Sequence, residues 1–547
     1  MSELLPTPPT FVDALRRLEA RSERGVSVLD KRGRNLVARP YPELAARARA
    51  WGAWFREQGV RSGDVVFLCL TTSHELLEAF WGLVLIGALP CNLALPRALG
   101  GLEGFRRRLA GAAERFPGGH LVTTADVGAE SGRPFWEPPA LDLSRQVDPT
   151  PVDSRAPAYV QLTSGSTRAP KAVTVTHGNV AANTRGIWAR GVGDPDEFYV
   201  SWLPLYHDMG LSGMVFTAMF HGVGLVLMPP ETFVASPWRW LEAIAQVPGP
   251  AIGTAPNFGY QWCVDRIPPE KVQGLRLDNW RLALCGAEMV RPGTLQAFAE
   301  RFGPLGFDPR AFLPCYGMAE TTLAVTLSPP RRATIVEEGR VSCGTAIEGL
   351  EVRIGPPGQP GRALPEGEEG EIQVRGSSVF PGYFLDPAAT AEVLDPDGWF
   401  HTGDLGYLRG GELFVTGRLK DLLILDGANV APHELEWIAE ELLPLEGGRA
   451  AAFAVEREGR ERPVLVVELR EVPPLELLEQ VRARAGREVA PLHDLVLVRR
   501  GSLPKTSSGK VQRHMVREQY GAGTLPEVLW SWLSAQPSGE RAGKQGP

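Results

Sequence analysis

Apolar runs of strand length alternate with amphipathic runs of helical period along most of this chain, and that alternation narrows its fold more than any other feature. Phe11 to Glu23 and Tyr41 to Gln58 carry apolar residues at helical spacing. Gly63-Asp64 then breaks the chain, Val65 to Leu70 reads as a buried strand, and Ser73 opens the next helix as an N-cap with an acidic first turn reaching Glu78. Strand and helix in turn predict a layered α/β domain. Pro, Ser and Asp dominate 134–157, a loop, after which the alternation resumes to about residue 330.

Gly344 to Gly382 changes character to Gly, Pro and short β runs such as Glu371 to Arg375, which predicts a smaller β-rich subdomain. After Gly417-Arg418 the pattern restarts: a strand over Asp421 to Leu425, a turn at Asp426-Gly427, a helix over Pro432 to Leu443, strands around Ala451 to Glu456 and Pro463 to Leu469, a further helix, and a last strand over Asp494 to Val498. At 547 residues more than one folding unit is expected. The expected division is a large N-terminal α/β unit with its β-rich subdomain over 1–418, a small α+β unit over 419–535, and a polar, disordered tail over 536–547.

The longest nearly uncharged stretch, Leu211 to Pro230, approaches the length of a membrane span but contains His221 and three glycines and has no basic flank. It reads as buried helix and strand, and the expectation is a cytoplasmic protein with no leader and no integral membrane association. The six cysteines are scattered without a CxxC pair, which argues for core thiols over a disulfide framework or a structural zinc site. A net charge of -7 gives no global attraction to nucleic acid, and the run Arg106-Arg107-Arg108 reads as a solvated helix face.

Only seven of the 57 basic residues are lysines, so arginine is this chain's default cation. Where such a chain keeps a lysine, a site that needs a compact ammonium on a flexible stem is one explanation. Lys171 ends the run Thr163-Ser164-Gly165-Ser166-Thr167-Arg168-Ala169-Pro170-Lys171, which follows the mostly apolar stretch Ala158 to Leu162. Small residues let consecutive backbone N–H groups form a concave anion nest, hydroxyls add donors, and the lysine adds charge, so phosphate binding is the natural use. No GK followed by Ser or Thr occurs, so this is not a Walker loop, and GxSxG, HExxH and GxGxxG are likewise missing.

This loop resembles the phosphate loop of the superfamily of acyl-CoA synthetases, nonribosomal-peptide adenylation domains and luciferases, the ANL adenylating enzymes. The resemblance extends along almost the whole chain. Gly286-Ala287-Glu288 is similar to the segment lining one side of adenine, Tyr316-Gly317-Met318-Ala319-Glu320 to the aromatic-Gly-x-x-Glu motif, and Thr402-Gly403-Asp404 to the ribose-binding motif. Gly417-Arg418-Leu419-Lys420-Asp421 resembles the interdomain hinge, and Leu503-Pro504-Lys505-Thr506-Ser507-Ser508-Gly509-Lys510 the catalytic-lysine loop.

The resemblance implies ATP and Mg²⁺ as cofactors, with roles that suit the residue types. Tyr316 would stack on adenine, Glu320 would hold Mg²⁺ shared with the triphosphate, Asp404 would accept from the ribose hydroxyls and Arg418 would touch ribose or phosphate. Lys510 would offset the repulsion when a carboxylate attacks the α-phosphate, and Lys420 would be the pivot about which a mobile small domain swings. Each has an ordinary use too: Tyr316 as a core tyrosine, Asp404 as a turn former.

Ser201 to Gly210, Pro256-Asn257-Phe258, Gly286 to Pro292 and Pro314 to Glu320 look most like the fatty acyl-AMP ligase branch. That branch implies a fatty acid in a tunnel lined by the apolar residues after Gly210, and transfer to the phosphopantetheine of an acyl carrier protein, or of a polyketide or nonribosomal-peptide carrier domain, acting in trans. His207 would gate the acyl pocket between the two half-reactions, or is a hydrogen-bonded histidine in an apolar neighbourhood. Two departures stand out: Arg168 and Ala172 replace loop glycines, and Leu323 to Ser342 is short where the branch carries an insertion. The alternatives are therefore an acyl-CoA synthetase using free coenzyme A and a catalytically silent adenylate-binding scaffold.

Overall fold

A computed structural model describes residues 7–30, 35–96, 101–163, 171–359, 361–425, 428–445, 447–457, 460–506 and 509–535. The chain divides into two compact units, 1–402 with 406–415, and 403–405 with 416–547. The tail 536–547 and the turn Asp426-Gly427 lie outside the described residues.

The large unit is an α/β structure built on nine strands. Their spatial order is Thr345–Ala346, Ala324–Leu327, Phe312–Gly317, Trp280–Cys285, Ala251–Ala255, Phe198–Ser201, Gly224–Leu227, Gly25–Leu29 and Leu36–Pro40. The run from Phe312–Gly317 to Gly25–Leu29 is parallel throughout, and antiparallel strands close both edges. These strands are apolar at consecutive positions because both faces are covered. Tyr199, Leu225, Ile252 and Leu282 pack into one core, while their neighbours Val200, Val226, Ala251 and Ala283 pack into a second one.

The expected local structure forms with small shifts. The helix Phe11–Glu19 starts on Thr10, whose Oγ1 accepts from Asp13 N at 3.1 Å, and it stops earlier than its apolar spacing suggests because Gly25–Leu29 becomes a sheet strand. Helices Tyr41–Glu57 and His74–Leu85 follow, the second capped by Ser73 Oγ accepting from Leu76 N at 3.2 Å. The stretch 211–230 is divided between a π-helix over Met209–Phe216, the helix Thr217–His221 and the strand Gly224–Leu227. No helix among the described residues is long and apolar enough to cross a membrane. All six cysteines are free thiols, and burial pushes those of Cys69, Cys91 and Cys315 up to about 12.

Leu350–Gly355, Gly370–Gly376, Phe400–Arg409 and Glu412–Arg418 form the four-stranded sheet of the β-rich segment. The small unit has its own sheet, in the order Ala450–Arg457, Arg460–Leu469, Asp494–Arg499 and Val528–Ser531, with the helices Pro432–Leu442 and Leu475–Glu488. The sheet does not end at Asp494–Arg499 as its sequence suggests. Asp494, buried at 2% exposure, accepts from Tyr520 Oη at 3.0 Å and Leu533 N at 3.2 Å, and so draws the C-terminal segment in as an added strand.

Candidate active site

The strand order reverses at Phe198–Ser201, which has Gly224–Leu227 on one side and the next parallel strand in sequence, Ala251–Ala255, on the other. In open parallel sheets, ligands bind beyond the carboxyl ends of the strands at such a switch point. A pocket opens there. Tyr199, Ile252, Thr254 and Leu284 line it from the parallel strands, Tyr316 and Gly317 from the end of Phe312–Gly317, and Ala287 from the segment after Trp280–Cys285. Met209, Gly213 and Met214 of the π-helix, with Asp208 before them, form another wall. The lining is mostly apolar.

Close packing explains the glycines of two motifs. A Cβ on Gly286 would lie 2.6 Å from Cys315 Sγ and one on Gly317 1.8 Å from Leu323 O, so neither position has room for a side chain. Between them Ala287 is held at φ 65° and, beyond Glu320, Thr322 at φ 71°, left-handed conformations that non-glycine residues adopt at a cost. Asn183 braces the second turn: its Nδ2 lies 2.8 Å from Ala324 O and 3.2 Å from Thr321 O, and its Oδ1 accepts from Ala324 N at 3.1 Å.

The phosphate-loop candidate lies in sequence between the antiparallel strands Pro157–Leu162 and Ala172–Thr176, and at its two ends Thr163 N donates to Lys171 O at 2.9 Å. Ser164, Gly165, Ser166 and Thr167 lie outside the described residues. Lys171 places its Nζ over the ring of Tyr383, 4.4 Å from the centroid. Tyr383 Oη in turn donates to Glu320 Oε1 at 3.0 Å. Burial, reinforced by the Glu320 carboxylate, pushes the Tyr383 hydroxyl well above its ordinary pKa and keeps it a donor. Three segments remote in sequence thus bring a cation and a carboxylate together around one ring.

Not every motif residue points to a ligand. Glu288 Oε1 accepts from Phe258 N at 2.6 Å, a cap on the helix Asn257–Arg266. Tyr316 is buried on the pocket wall, Met318 N donates to Leu323 O at 2.8 Å, and Ala319 is buried in a single 3₁₀ turn with Glu320. His207 is half-buried, immediately before pocket-lining Asp208 and Met209, with its N donating to Pro204 O at 3.2 Å.

In the small unit, Asp404 is buried at 5% exposure and pairs with Arg418 Nε at 2.8 Å. Lys420 is exposed in the turn Leu419–Asp421. Lys510 is exposed too, on a loop closed by Thr506 N donating to Lys510 O at 2.8 Å. The loop hangs from Glu468, a carboxylate with no exposure that accepts from Gly501 N at 3.0 Å, Leu503 N at 2.8 Å and Lys505 Nζ at 2.9 Å. On its far side Arg513 makes a paired contact with Glu436, both at 2.7 Å, and reaches Asp421 at 3.2 Å. Sequence reasoning misses Tyr383, Asn183 and Glu468, since no local pattern marks residues whose role is to hold a distant segment.

A family model for AMP-binding enzymes matches residues 110–384. The chain belongs to that family, and it is an AMP-forming ligase of the adenylate-forming α/β fold. It is 34% identical to a putative acyl-CoA synthetase of Caulobacter vibrioides, over 94% of this chain and 96% of that protein. It is 31% identical to the medium-chain-fatty-acid–[acyl-carrier-protein] ligase JamA of Moorena producens, over 95% and 97%. A solved structure from a study of the fatty acyl-adenylate ligases of E. coli and L. pneumophila superposes with a TM-score of 0.85 at 31% identity, covering 94% of this chain and 98% of that one.

Proposed function

We propose that this protein activates a fatty acid with ATP to an acyl-adenylate, releasing pyrophosphate, and then passes the acyl group to the phosphopantetheine thiol of a carrier protein. The observation that carries the reading is the Lys171–Tyr383–Glu320 group in the same unit as the apolar, strand-end pocket. An apolar pocket suits an alkyl chain, and a cation fixed beside a carboxylate suits a phosphate chain and its counterion.

The residues fit the nucleotide and its metal. Among the described residues no group of three or more His, Cys, Asp and Glu side chains could hold a metal ion, and Glu320 is the residue that would hold Mg²⁺ together with the triphosphate. Bound there, Mg²⁺ supplies charge neutralisation on the triphosphate. Thr163, the loop hydroxyls and Lys171 take the phosphates, and Gly286, Ala287, Glu288 and the Tyr316–Ala319 segment flank the base. Asp404 accepts from the ribose, with Arg418 beside it. Lys510 would offset the repulsion between the attacking carboxylate and the α-phosphate; no general base is needed, because the substrate carboxylate is already the nucleophile. Lys420 is the pivot and His207 the gate between half-reactions. A cytoplasmic setting goes with thiol acceptors kept reduced.

A carrier protein as acceptor is supported by the likeness to JamA, and free coenzyme A by the likeness to the Caulobacter protein and by the short segment between Leu323 and Ser342. ATP–pyrophosphate exchange over a panel of fatty, aromatic and amino acids tests the activation step, and product analysis with coenzyme A or a phosphopantetheinylated carrier tests the acceptor. Acyl-AMP that persists with coenzyme A and clears with carrier supports the proposal. Conversion to acyl-CoA makes it a coenzyme A ligase, and no exchange with any acid makes it a silent adenylate binder.

A further inference from the structure

Four tyrosines have less than 2% exposure: Tyr41, Tyr159, Tyr199 and Tyr260. Three spend their hydroxyl in the usual way. Tyr41 Oη donates to Val223 O at 2.5 Å, Tyr260 Oη to Leu284 O at 2.7 Å, and Tyr159 Oη shares a hydrogen with Ser212 Oγ at 2.9 Å. Tyr199 Oη is buried and has no hydrogen-bond partner among the described residues. It is also the one of the four that lines the strand-end pocket.

Other buried polar atoms among the described residues, such as Tyr407 Oη, also have no partner, but of these only Tyr199 lies on the pocket wall. A buried hydroxyl without a partner is costly, and phenylalanine would fill the same space on the strand Phe198–Ser201 at no such cost. Other polar side chains on the pocket wall are engaged: Thr254 Oγ1 donates to Leu284 O at 3.3 Å, and Asp208 Oδ1 accepts from Met209 N at 2.7 Å. Tyr199 offers a donor and an acceptor amid apolar neighbours such as Ile252 and Leu225, with which it is in register on the flanking strands.

Resting on the proposed function, we infer that the preferred acid is not a plain alkyl acid but one bearing a hydrogen-bonding oxygen on its chain (a hydroxyl, an oxo group or a phenol) that meets Tyr199 Oη in the pocket. Tyr199 is then a specificity-determining residue: it leaves a plain chain facing an unsatisfied hydroxyl and rewards a chain that satisfies it.

The test is ATP–pyrophosphate exchange by the full-length protein on matched acids of equal length, alkyl against hydroxy, oxo and 4-hydroxyphenyl, followed by the same panel on Tyr199→Phe. The expected result is roughly a tenfold higher kcat/KM for at least one oxygenated class, the size of one ordinary hydrogen bond. In Tyr199→Phe that preference, read as the ratio of kcat/KM for the oxygenated acid to that for the alkyl acid, should fall to about one. The class that responds identifies the oxygen. A wild-type protein that takes the alkyl acid as well as every oxygenated partner overturns the inference and leaves the activation chemistry standing, and this arm needs no variant. A preference that survives in Tyr199→Phe overturns it as well. Failure of exchange with every acid removes the proposed function, and the inference with it.

Discussion

The Lys171–Tyr383–Glu320 group of the large unit and the Lys510 loop of the small unit place a cation in opposite ways. In the large unit the lysine itself is packed: Lys171 lies on Tyr383, and Tyr383 is tied to Glu320. In the small unit a second lysine does the packing, since Lys505 is locked to buried Glu468 while Lys510 stays exposed five residues on. The first arrangement is preorganised and gives up reach. The second anchors the base of a loop on a buried carboxylate and leaves Lys510 exposed to solvent, an arrangement that suits the part-time role proposed for it.

Cutting the anchor should have the largest effect. Glu468→Ala leaves Lys505 without its buried partner and the backbone N–H groups of Gly501 and Leu503 without an acceptor, so urea unfolding should show a loss of about 3–5 kcal/mol, with Glu468→Ala/Lys505→Met recovering part of it. Lys510→Ala should do the reverse, lowering pyrophosphate exchange by roughly 10²–10³-fold with stability unchanged within about 0.5 kcal/mol. Equal loss of stability in both variants would erase the contrast. Tyr383→Phe keeps the ring under Lys171 but drops the bond to Glu320, and a titration of exchange activity should show a roughly tenfold higher Mg²⁺ requirement. Lys420→Pro should spare exchange and slow acyl transfer to the thiol, and loss of exchange would sink the hinge assignment.

The smallest effect concerns pH. Burial works against charge on His401, yet its hydrogen bonds to the carboxylates of Glu371 and Asp395, at 3.0 and 3.1 Å, together with their charges raise its pKa overall. The stability this contributes is therefore fully present below the unfolded histidine pKa of about 6.5 and is lost as pH rises through the higher folded value. Thermal unfolding of His401→Asn compared with wild type between mildly acidic and alkaline pH should show that slope flattened in the variant.

Much of this molecule is legible in the sequence because its core strands are parallel and buried on both faces, which forces apolar runs such as Val65–Cys69 that stand out from the helices between them. The motif loops leave those strands, so Tyr316 and Ala287 are found by reading to each strand's end. What stays hidden depends on pairing across the chain. Tyr383 reaches Lys171 because it bridges Val173, some 210 residues earlier, and nothing in its own neighbourhood encodes that meeting. Glu468 looks like the polar residue of an alternating strand until its five-fold hydrogen bonding is seen. The edge strand Val528–Ser531 is recruited by Asp494 rather than by its own apolar pattern.

The π-helix Met209–Phe216 bears on how this pocket could diverge. Its hydrogen bonds run to the fifth residue, as Thr217 N does to Ser212 O, so the segment carries surplus length relative to an α-helix. Removing one residue there would let the segment relax to the commoner geometry and move the side chains within it by one position, about 100° around its axis. Met214 would leave the wall and another side chain would take its place, while the strands and motif loops stayed where they are. Substrate range could then change in discrete jumps through insertions and deletions, a path unlike the gradual one open to point substitution.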